Sequence, residues 1–310
     1  MTDCRQRVSV LIPAYNRCEL LKETIETVLR QTSSVHEVIV IDDGSTDGTA
    51  AMIRGLAPKV RCLSQENAGV AAAFNNGMAQ ATGDWIAFLG SDDLWAPNKI
   101  ERQLQYLSQY PSCDLVHTGY AEFGHRTRVM PPRPRFLRGE YRVDHFLFGE
   151  DWICPSSALV RASLQVRFRD WASASEDIIY HADLLRAGAV FGYINEPLVQ
   201  YRVHLGSMNF EKGGQSRAAS RQLRWIAEAF ADQPSERDRL AMLFYRKVLD
   251  RIQETKRWRR WPEYWEWRQW LAENWPDSLP RPKSLSEHIY PPITYRFADL
   301  PGKALRRLAR

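Results

Sequence analysis

A buried strand that runs into two acidic residues, Ile86-Ala87-Phe88-Leu89-Gly90-Ser91-Asp92-Asp93, organises the first half of this sequence. Two adjacent carboxylates repel each other and raise each other's pKa unless a positive group lies nearby. A divalent cation would relieve the repulsion, because hard cations bind oxygen ligands. Alternatively, Asp92 and Asp93 belong to a solvated turn that caps the next helix. The surrounding sequence must decide between these interpretations.

Short apolar runs alternate with helical patterns from Val8 to about residue 118. This alternation predicts an α/β domain with parallel strands and helices on both faces of the sheet. The predicted strands are 8–12, 37–41, 60–63, 85–89 and 113–118. The predicted helices are 19–31, 47–56, 67–81, 97–110, 178–187, 219–231 and 236–252.

Polar clusters follow three of the predicted strands, at 13–16, 42–47 and 91–93. Ligands of parallel α/β sheets bind at the carboxyl ends of the strands, so we expect these clusters to converge on one edge. The first loop contains neither the glycine pattern of dinucleotide-binding proteins nor that of a P-loop. It offers an aromatic ring and an amide instead, and the second loop offers carboxylates.

Charge is distributed unevenly along the 310 residues. Residues 1–214 carry 22 Lys/Arg and 25 Asp/Glu, a net charge of −3, whereas residues 215–310 carry 20 and 12, a net charge of +8. This predicts two domains, 1–214 and 215–310. No run of about 18 uncharged apolar residues occurs and the N-terminus leads directly into a strand. We therefore expect a cytoplasmic protein without a transmembrane helix or signal peptide.

Four motifs in order resemble the family 2 glycosyltransferases of the GT-A fold. They are Ser9–Arg17, Ile41–Thr49, Asn67–Gly77 and Ala81–Asp93. The resemblance covers residues 8–118 well and 152–208 more loosely. It implies a Rossmann-like mixed sheet flanked by helices, with a nucleotide-binding half at about 1–118 and an acceptor half at about 119–214.

The resemblance also implies a divalent metal, Mn²⁺ or Mg²⁺. The family's metal-binding motif is often Asp-Ser-Asp-Asp, and here Gly90 replaces the first acid. Asp92 takes the metal role, Asp93 is its partner or alternate, and His204 is a further candidate for the metal or a diphosphate oxygen. A second departure is Phe74, which stands where many members have an arginine that contacts the donor phosphate.

The other site residues implied by the resemblance fall on both halves. Pro13, Tyr15, Asn16, Asp43 and Asp92 would bind the donor nucleotide, with the flat ring of Tyr15 suited to a base. Alternatively, Asn16 is a structural turn residue. Asp43 is favoured over Asp42 for contact with the ligand. Asp177 would be the catalytic base that deprotonates the acceptor hydroxyl in inverting transfer. Candidates for acceptor or phosphate binding are Trp152, Glu176 and Arg202.

The basic C-terminal region is expected to be helical and is rich in Trp and Arg. Six tryptophans fall between residues 258 and 275, interleaved with arginines. Such residues can anchor a protein at a membrane surface. Alternatively, they pack on the catalytic domain or on a second subunit of a homo-oligomer. No RNA- or DNA-binding motif accompanies the basic charge, so we expect no nucleic-acid partner.

The expected function is metal-dependent, inverting transfer of a sugar from a nucleotide-sugar, UDP-linked by resemblance, to a glycan or lipid-linked acceptor. This would serve surface polysaccharide or glycoconjugate synthesis at the inner face of the cytoplasmic membrane. One alternative is a degenerate GT-A protein acting as a scaffold, favoured by Gly90 and Phe74 but not by Asp177. The other is a nucleotidyltransferase, which would need a phosphate-gripping first loop that residues 13–17 do not supply well.

Overall fold

The computed structural model describes residues 6–148, 151–173, 175–204 and 214–275. Contacts within the chain form two compact units, Met1–Gln222 and Leu223–Arg310. The division predicted from composition, after residue 214, falls shortly before this boundary. The basic tail that follows residue 275 lies outside the described residues.

The first unit is built on a sheet of nine strands. Their bounds are β1 Val8–Ala14, β2 Glu37–Asp43, β3 Arg61–Gln65, β4 Trp85–Phe88, β5 Leu94–Trp95, β6 Leu115–Gly124, β7 Arg128–Val129, β8 Leu159–Arg161 and β9 Phe191–Val203. The order across the sheet is β3-β2-β1-β4-β8-β6-β9-β5, with β7 paired to β6.

The sheet is mixed, as the resemblance implied. Strands β3, β2, β1 and β4 are parallel, and β6 is parallel to β9. Strand β8 is antiparallel to both β4 and β6, and β5 is antiparallel to β9. The expectation of parallel strands from alternation alone therefore fits the nucleotide-binding half only. The sequence pattern did not predict β5, β7, β8 or β9. Strands β5, β7 and β8 have two or three residues, too few to show an apolar pattern, and in β9 the polar stretch Asn195-Glu196-Pro197 interrupts the apolar run.

The described part of the chain contains ten α-helices. Their bounds are α1 Cys18–Leu29, α2 Thr49–Arg54, α3 Val70–Gln80, α4 Lys99–Gln109, α5 Pro134–Leu137, α6 Val143–Leu147, α7 Glu176–Arg186, α8 Gly214–Ala229, α9 Pro234–Arg257 and α10 Trp261–Asn274. The predicted helices are present, with ends that differ by one to several residues. The short α5 and α6 fall in a Pro- and Arg-rich stretch that carried no helical pattern.

Both faces of the central strands are buried, so these strands are apolar except near their ends. Along β1, Val10 and Ile12 pack in one core cluster together with Ile25 of α1. Leu11, between them, packs in a second cluster together with Ala73 of α3. Successive side chains of a strand point to opposite faces, so β1 contributes to two cores. Polar side chains are consequently confined to the ends of these strands.

Phe74 is a core residue of this unit, with only 5% of its surface exposed. Its ring stacks on Phe168 at 5.1 Å and meets Phe88 edge-on at 4.9 Å. Phe168 in turn stacks on Tyr180 of α7 at 4.1 Å. The residue that replaces the family's arginine therefore joins α3 to α7 through aromatic packing within the core.

In the second unit, α10 packs on α9. The ring of Tyr245 on α9 meets that of Trp275 edge-on at 5.3 Å. Trp267, Trp270 and Trp275 are buried, whereas Trp258 is 68% and Trp265 is 41% exposed. The tryptophan-rich stretch is thus divided between core and surface. Within the described residues, we find no helix with the length and apolar character needed to cross a bilayer.

Candidate active site

The loops that follow β1, β2 and β4, residues 13–16, 42–47 and 90–93, are called here the strand-end loops. Strand β1 lies between β2 and β4, which brings the three loops to one edge of the sheet. The backbone N–H of Asn16 donates to Ser45 Oγ at 3.0 Å, and Asn16 Oδ1 accepts from the N–H of Thr46 at 2.8 Å. The hydroxyl of Thr24 on α1 donates to the carbonyl of Asp93 at 2.9 Å. The predicted convergence is therefore present.

Among the residues predicted to bind the nucleotide, Tyr15 is the most open. Its side chain is 48% exposed, and Pro13 beside it is partly exposed. Asn16 has a backbone φ of 51°, a left-handed conformation that Asn tolerates better than most residues. Because its side chain is bonded to Thr46, Asn16 joins the first two strand-end loops. Nucleotide contact by these residues remains a prediction.

Asp43 is only 5% exposed, and its carboxylate is used within the protein. Oδ1 accepts from Gln65 Nε2 at 2.8 Å and from the N–H of Ala68 at 2.9 Å. Oδ2 accepts from the N–H of Gly69 at 2.9 Å. Gly69 itself has a φ of +88°, which favours glycine. The carboxylate therefore fixes the turn that begins α3. The contact of Asp43 with the nucleotide remains a prediction.

Asp93 is turned inward, with 3% of its surface exposed. Ser156 Oγ donates to Oδ2 at 2.5 Å, and the N–H of Arg202 donates to Oδ1 at 2.9 Å. Burial raises the pKa of this carboxyl, and the neighbouring charge of Asp92 raises it further. Both carboxylate oxygens of Asp93 accept hydrogen bonds that hold the loop. The proposed metal ligands are therefore its neighbour Asp92 and His204.

Asp92 and His204, 112 residues apart in sequence, meet at the strand-end loops. His204 Nε2 lies 2.9 Å from Asp92 Oδ2, and both side chains are partly exposed. A carboxylate oxygen and an imidazole nitrogen suit Mn²⁺, and the carboxylate suits Mg²⁺. No group of three or more His, Cys, Asp or Glu side chains able to hold a metal occurs in the described ranges. The pair fits a cation that takes its other ligands from the substrate's diphosphate and water.

Arg202, predicted to meet phosphate charge, is held by the protein in three ways. Its Nε donates to the carbonyl of Asp92 at 2.8 Å, and its Nη2 donates to Glu23 at 2.5 Å. Its guanidinium lies 4.5 Å from the centre of the Phe123 ring. Through these contacts Arg202 holds the backbone of Asp92 and links β9 to Glu23 on α1.

Gly90, the departure from the family motif, lies where there is little room for a side chain. A Cβ at this position would lie 3.2 Å from Asp92 Oδ1 and 3.2 Å from Asp93 Oδ2. The N–H of Gly90 donates to Ser156 Oγ at 3.0 Å. Ser156 therefore links Gly90 to Asp93, although it was not predicted to be a site residue.

Asp177 lies at the first turn of α7, beside the buried Glu176. Trp152 Nε1 donates to Asp177 Oδ2 at 2.6 Å, and Oδ1 accepts from the N–H of Ile178 at 2.8 Å. Burial raises the pKa of Asp177, while these hydrogen bonds act in the opposite direction. The structure thus joins two of the predicted site residues, Trp152 and Asp177, by a direct hydrogen bond.

Three aromatic side chains, Tyr120, Trp152 and Tyr201, form what we call the aromatic wall. The Trp152 ring is nearly perpendicular to Tyr120 at 5.4 Å and to Tyr201 at 5.8 Å. Burial raises the pKa of Tyr201, and the carboxylates of Asp93, Asp92 and Asp177 raise it further. Tyr201 packs on Trp152, which bonds Asp177, and the next residue of β9, Arg202, bonds the Asp92 carbonyl. Tyr120 and Tyr201 were not predicted from sequence.

A shallow, partly open cleft with a cavity volume of about 40 Å³ borders Tyr120 and Trp152 of the aromatic wall. Its lining includes Tyr120, Trp152, His117, Arg133 and Tyr193. Aromatic side chains are common in the lining of small-molecule sites. Trp152 both lines this cleft and bonds Asp177.

The geometry defines a class of α/β protein with a mixed sheet and acidic strand-end loops, and comparison with known proteins gives the family. The sequence profile described as "Glycosyl transferase family 2" matches residues 9–164. An uncharacterized glycosyltransferase of Rickettsia typhi is 30% identical over 207 residues, which cover 64% of each chain. The putative teichuronic acid biosynthesis glycosyltransferase TuaG of Bacillus subtilis is 29% identical over 220 residues, 68% of this chain and 85% of TuaG.

Solved structures agree in fold. S. aureus TarS residues 1–349, in complex with UDP-GlcNAc, aligns with a TM-score of 0.62 at 16% identity, covering 86% of this chain and 81% of TarS. The mannosyltransferase PcManGT of Pyrobaculum calidifontis, in complex with GDP-Man and Mn²⁺, aligns with a TM-score of 0.54 at 20% identity, covering 73% and 65%. The chain belongs to glycosyltransferase family 2, and its first unit has the GT-A fold.

Proposed function

We propose that this protein is a metal-dependent, inverting glycosyltransferase that moves a sugar from a nucleotide-sugar to a hydroxyl of a glycan or lipid-linked acceptor. The observation that carries the proposal is the position of Tyr201. It contacts Trp152, which donates to Asp177, and the next residue of β9, Arg202, donates to the carbonyl of Asp92 at 2.8 Å. Groups suited to a diphosphate and a group suited to deprotonate an acceptor hydroxyl are thus joined through two consecutive residues of β9.

Asp177 is the proposed catalytic base. Its carboxylate takes the proton of the acceptor hydroxyl as that oxygen bonds to the anomeric carbon of the donor sugar. The bond from the anomeric carbon to the diphosphate oxygen breaks, and the nucleoside diphosphate leaves. The attack comes from the face opposite the leaving group, so an α-linked donor gives a β-glycoside. No protein nucleophile is needed.

Asp92 and His204 are the proposed protein ligands of Mn²⁺ or Mg²⁺. A bound divalent cation acts as a Lewis acid toward the leaving diphosphate. Arg202 keeps Asp92 in place through its bond to the Asp92 carbonyl. Pro13, Tyr15, Asn16 and Asp43 remain the proposed residues for the base and ribose, with Tyr15 the most accessible of them.

The names of similar proteins support a role in surface polysaccharide or glycoconjugate synthesis. TuaG is described as a putative teichuronic acid biosynthesis glycosyltransferase, and TarS has been solved with UDP-GlcNAc. We propose a UDP-linked donor on that basis. The chain spans 64% of the length of the Rickettsia typhi relative, so these assignments rest on part of that protein's length.

A panel of nucleotide-sugars tests the proposal. Purified protein is incubated with UDP-, GDP- and other nucleotide-linked sugars, with Mn²⁺ or with EDTA, and nucleoside diphosphate release is measured. We expect release from a UDP-sugar that depends on Mn²⁺. Binding of nucleotide-sugars without release in any combination would favour a scaffold. Pyrophosphate formation from a nucleoside triphosphate and a sugar phosphate would favour a nucleotidyltransferase.

We propose further that the second unit binds the anionic inner face of the cytoplasmic membrane. Trp258 and Trp265 are exposed, and the guanidinium of Arg257 lies 5.7 Å from the Trp258 ring. An exposed aromatic ring beside a cation suits the boundary between lipid and water. Binding to vesicles containing phosphatidylglycerol should fall about tenfold or more in a Trp258→Ala/Trp265→Ala variant.

The matched control for vesicle binding is Tyr110→Ala, an aromatic residue of similar exposure in the first unit. It should bind vesicles as the wild type does. Failure of the wild type to bind any anionic vesicle would overturn the membrane proposal. A dimer that is lost in the double tryptophan variant, seen by sedimentation, would instead assign these residues to a homo-oligomer interface.

A further inference from the structure

Trp152 connects the aromatic wall to the carboxylate proposed as catalytic base. Its indole N–H donates to Asp177 Oδ2 at 2.6 Å, and its ring is fixed between Tyr120 and Tyr201. Both ring contacts are nearly perpendicular, with interplanar angles of 82° and 81°. Two such edge-to-face contacts restrict rotation of the indole, so its N–H keeps one direction.

The hydrogen bonds divide the two oxygens of Asp177 between helix and wall. Oδ1 accepts from the N–H of Ile178, at the start of α7, and Oδ2 accepts from Trp152. The helix N–H restrains the carboxylate from one side only. Without the indole the carboxylate would be free to turn about its side-chain torsions, because Oδ2 would lose the donor that sets its direction.

We infer that Trp152 is a positioning residue: its indole N–H orients Asp177 toward the cleft and stabilises the charged form of the base, while the ring faces the acceptor. This rests on the proposed function of Asp177. It differs from a stacking role, in which the ring face alone would contribute, and from a packing role, in which any residue of similar size would serve.

Other ionisable groups near Asp177 are few. Glu176 precedes it on α7, Cys154 and Tyr201 interact with it electrostatically, and Asp92 and Asp93 interact with Tyr201. Burial raises the pKa of Cys154 and of Tyr201, so both stay neutral below pH 8. Burial also raises the pKa of Asp93 to about 7, so a pH response of Trp152 reports on Asp177 only where it is lost in Asp177→Asn.

The hydrogen bond is measured directly by indole N–H resonances of protein labelled with ¹⁵N-tryptophan. The Trp152 resonance, identified by its loss in Trp152→Phe, should move as Asp177 is protonated, and this movement should vanish in Asp177→Asn. Trp152→His, which retains a ring N–H, provides a second assignment if the phenylalanine variant does not fold. An indole resonance that does not respond to pH or to Asp177→Asn would overturn the inference, whether or not the protein transfers sugar.

The kinetic counterpart uses Mn²⁺-dependent UDP release from the best UDP-sugar of the panel. Trp152→Phe should move the acid limb of the pH profile of kcat upward by about one pH unit, because a hydrogen bond to the carboxylate is lost. The KM for the donor should change less than threefold, and Trp152→His should recover part of kcat. An unmoved acid limb with Asp177→Asn inactive would reject the role of Trp152 while leaving Asp177 as the base. An active Asp177→Asn would reject the proposed function itself.

Discussion

The strand-end loops and the aromatic wall belong to the same unit, yet they are built in different ways. In the strand-end loops, Asp43 and Asp93 accept hydrogen bonds mainly from the protein's own backbone and polar side chains. At the aromatic wall, whose rings are partly buried, Asp177 accepts one hydrogen bond from its own helix and one from Trp152. The strand-end loops use these carboxylates to hold their own shape, whereas the wall holds a carboxylate beside a side chain that lines a cleft.

This difference separates residues that form the site from residues that perform chemistry. Asp93 and Asp177 both have two hydrogen-bonded oxygens and a pKa raised by burial, so neither feature separates them. Their exposure differs, because Asp93 is only 3% exposed whereas Asp177 is partly exposed beside Trp152, which lines the cleft. We therefore propose that Asp93 holds its loop, that Asp177 transfers the proton, and that Asp92 and His204 meet the ligand.

The largest expected effect is on the wall side. Asp177→Asn should lower the rate of transfer by at least about 100-fold, since a positioned base contributes about 10²–10⁴. The amide oxygen can still accept from Trp152, so the fold should be kept. Initial rates with the best UDP-sugar measure the change. Activity within a few-fold of the wild type would exclude Asp177 as the base.

The next effect is on the loop side. Asp92→Ala should weaken Mn²⁺-linked UDP binding at least about tenfold, because a metal ligand is removed. The matched control is Asp84→Ala, an exposed acid that precedes the same strand and pairs with Arg7. Calorimetry with Mn²⁺ and UDP measures both variants. An unchanged affinity in Asp92→Ala, or an equal loss in Asp84→Ala, would contradict the metal assignment.

A smaller effect is expected from the link between Ser156 and Asp93. Ser156→Ala leaves Asp93 Oδ2 without its donor and should lower the free energy of unfolding by about 1–3 kcal/mol. Ser108→Ala, on the exposed face of α4, should change the free energy of unfolding by less than about 0.5 kcal/mol. Urea denaturation compares the two variants. Equal stabilities would show that Asp93 does not depend on this bond.

Lys99 lies beneath the strand-end loops and gives a graded effect with pH. It is fully buried, its Nζ donates to Gln103 Oε1 at 2.8 Å, and it lies 4.0 Å from the Trp95 ring. Burial lowers its pKa from 10.5 to about 7. Between pH 7 and pH 10.5 the unfolded chain therefore binds more protons at this residue than the folded chain, and stability gained from this residue rises with pH.

The wild-type protein should accordingly gain about 1.4 kcal/mol per pH unit relative to Lys99→Met between pH 7 and pH 9. Exposed Lys22, changed to Met, serves as the control and should show a difference that is flat with pH. Urea denaturation at three pH values measures the slope. A flat difference for Lys99→Met would mean that the buried lysine keeps its charge through hydrogen bonding.

The strand-end loops were largely predictable, because each is a contiguous motif after an apolar strand. Strands β1, β2 and β4, the helices between them and the convergence of their loops followed from local pattern. The direction in which each carboxylate points could not be predicted from the local sequence pattern. Asp92 and Asp93 are neighbours in sequence, yet Asp93 turns toward Ser156, 63 residues away, and Asp92 toward His204.

The aromatic wall could be predicted only in part, because its contacts join distant positions. Asp177 and Trp152 were expected from the family resemblance, but the sequence pattern predicted neither β8 nor β9, the strands on either side of α7 in the chain, and so did not predict their hydrogen bond. Tyr120 and Tyr201 lie on strands β6 and β9, whose pairing shifts register twice near residue 119. Such irregular pairing decides which aromatic rings face the cleft, and a sequence pattern does not show it.

The central claim is that the strand-end loops bind the donor and that the wall activates the acceptor. Titration of UDP in the presence of Mn²⁺ into the Asp177→Asn variant tests this division most directly. We expect this variant to bind UDP with an affinity within about twofold of that of the wild type and to have lost sugar transfer. A loss of affinity as large as that of Asp92→Ala would contradict it, because Asp177 would then belong to the donor site.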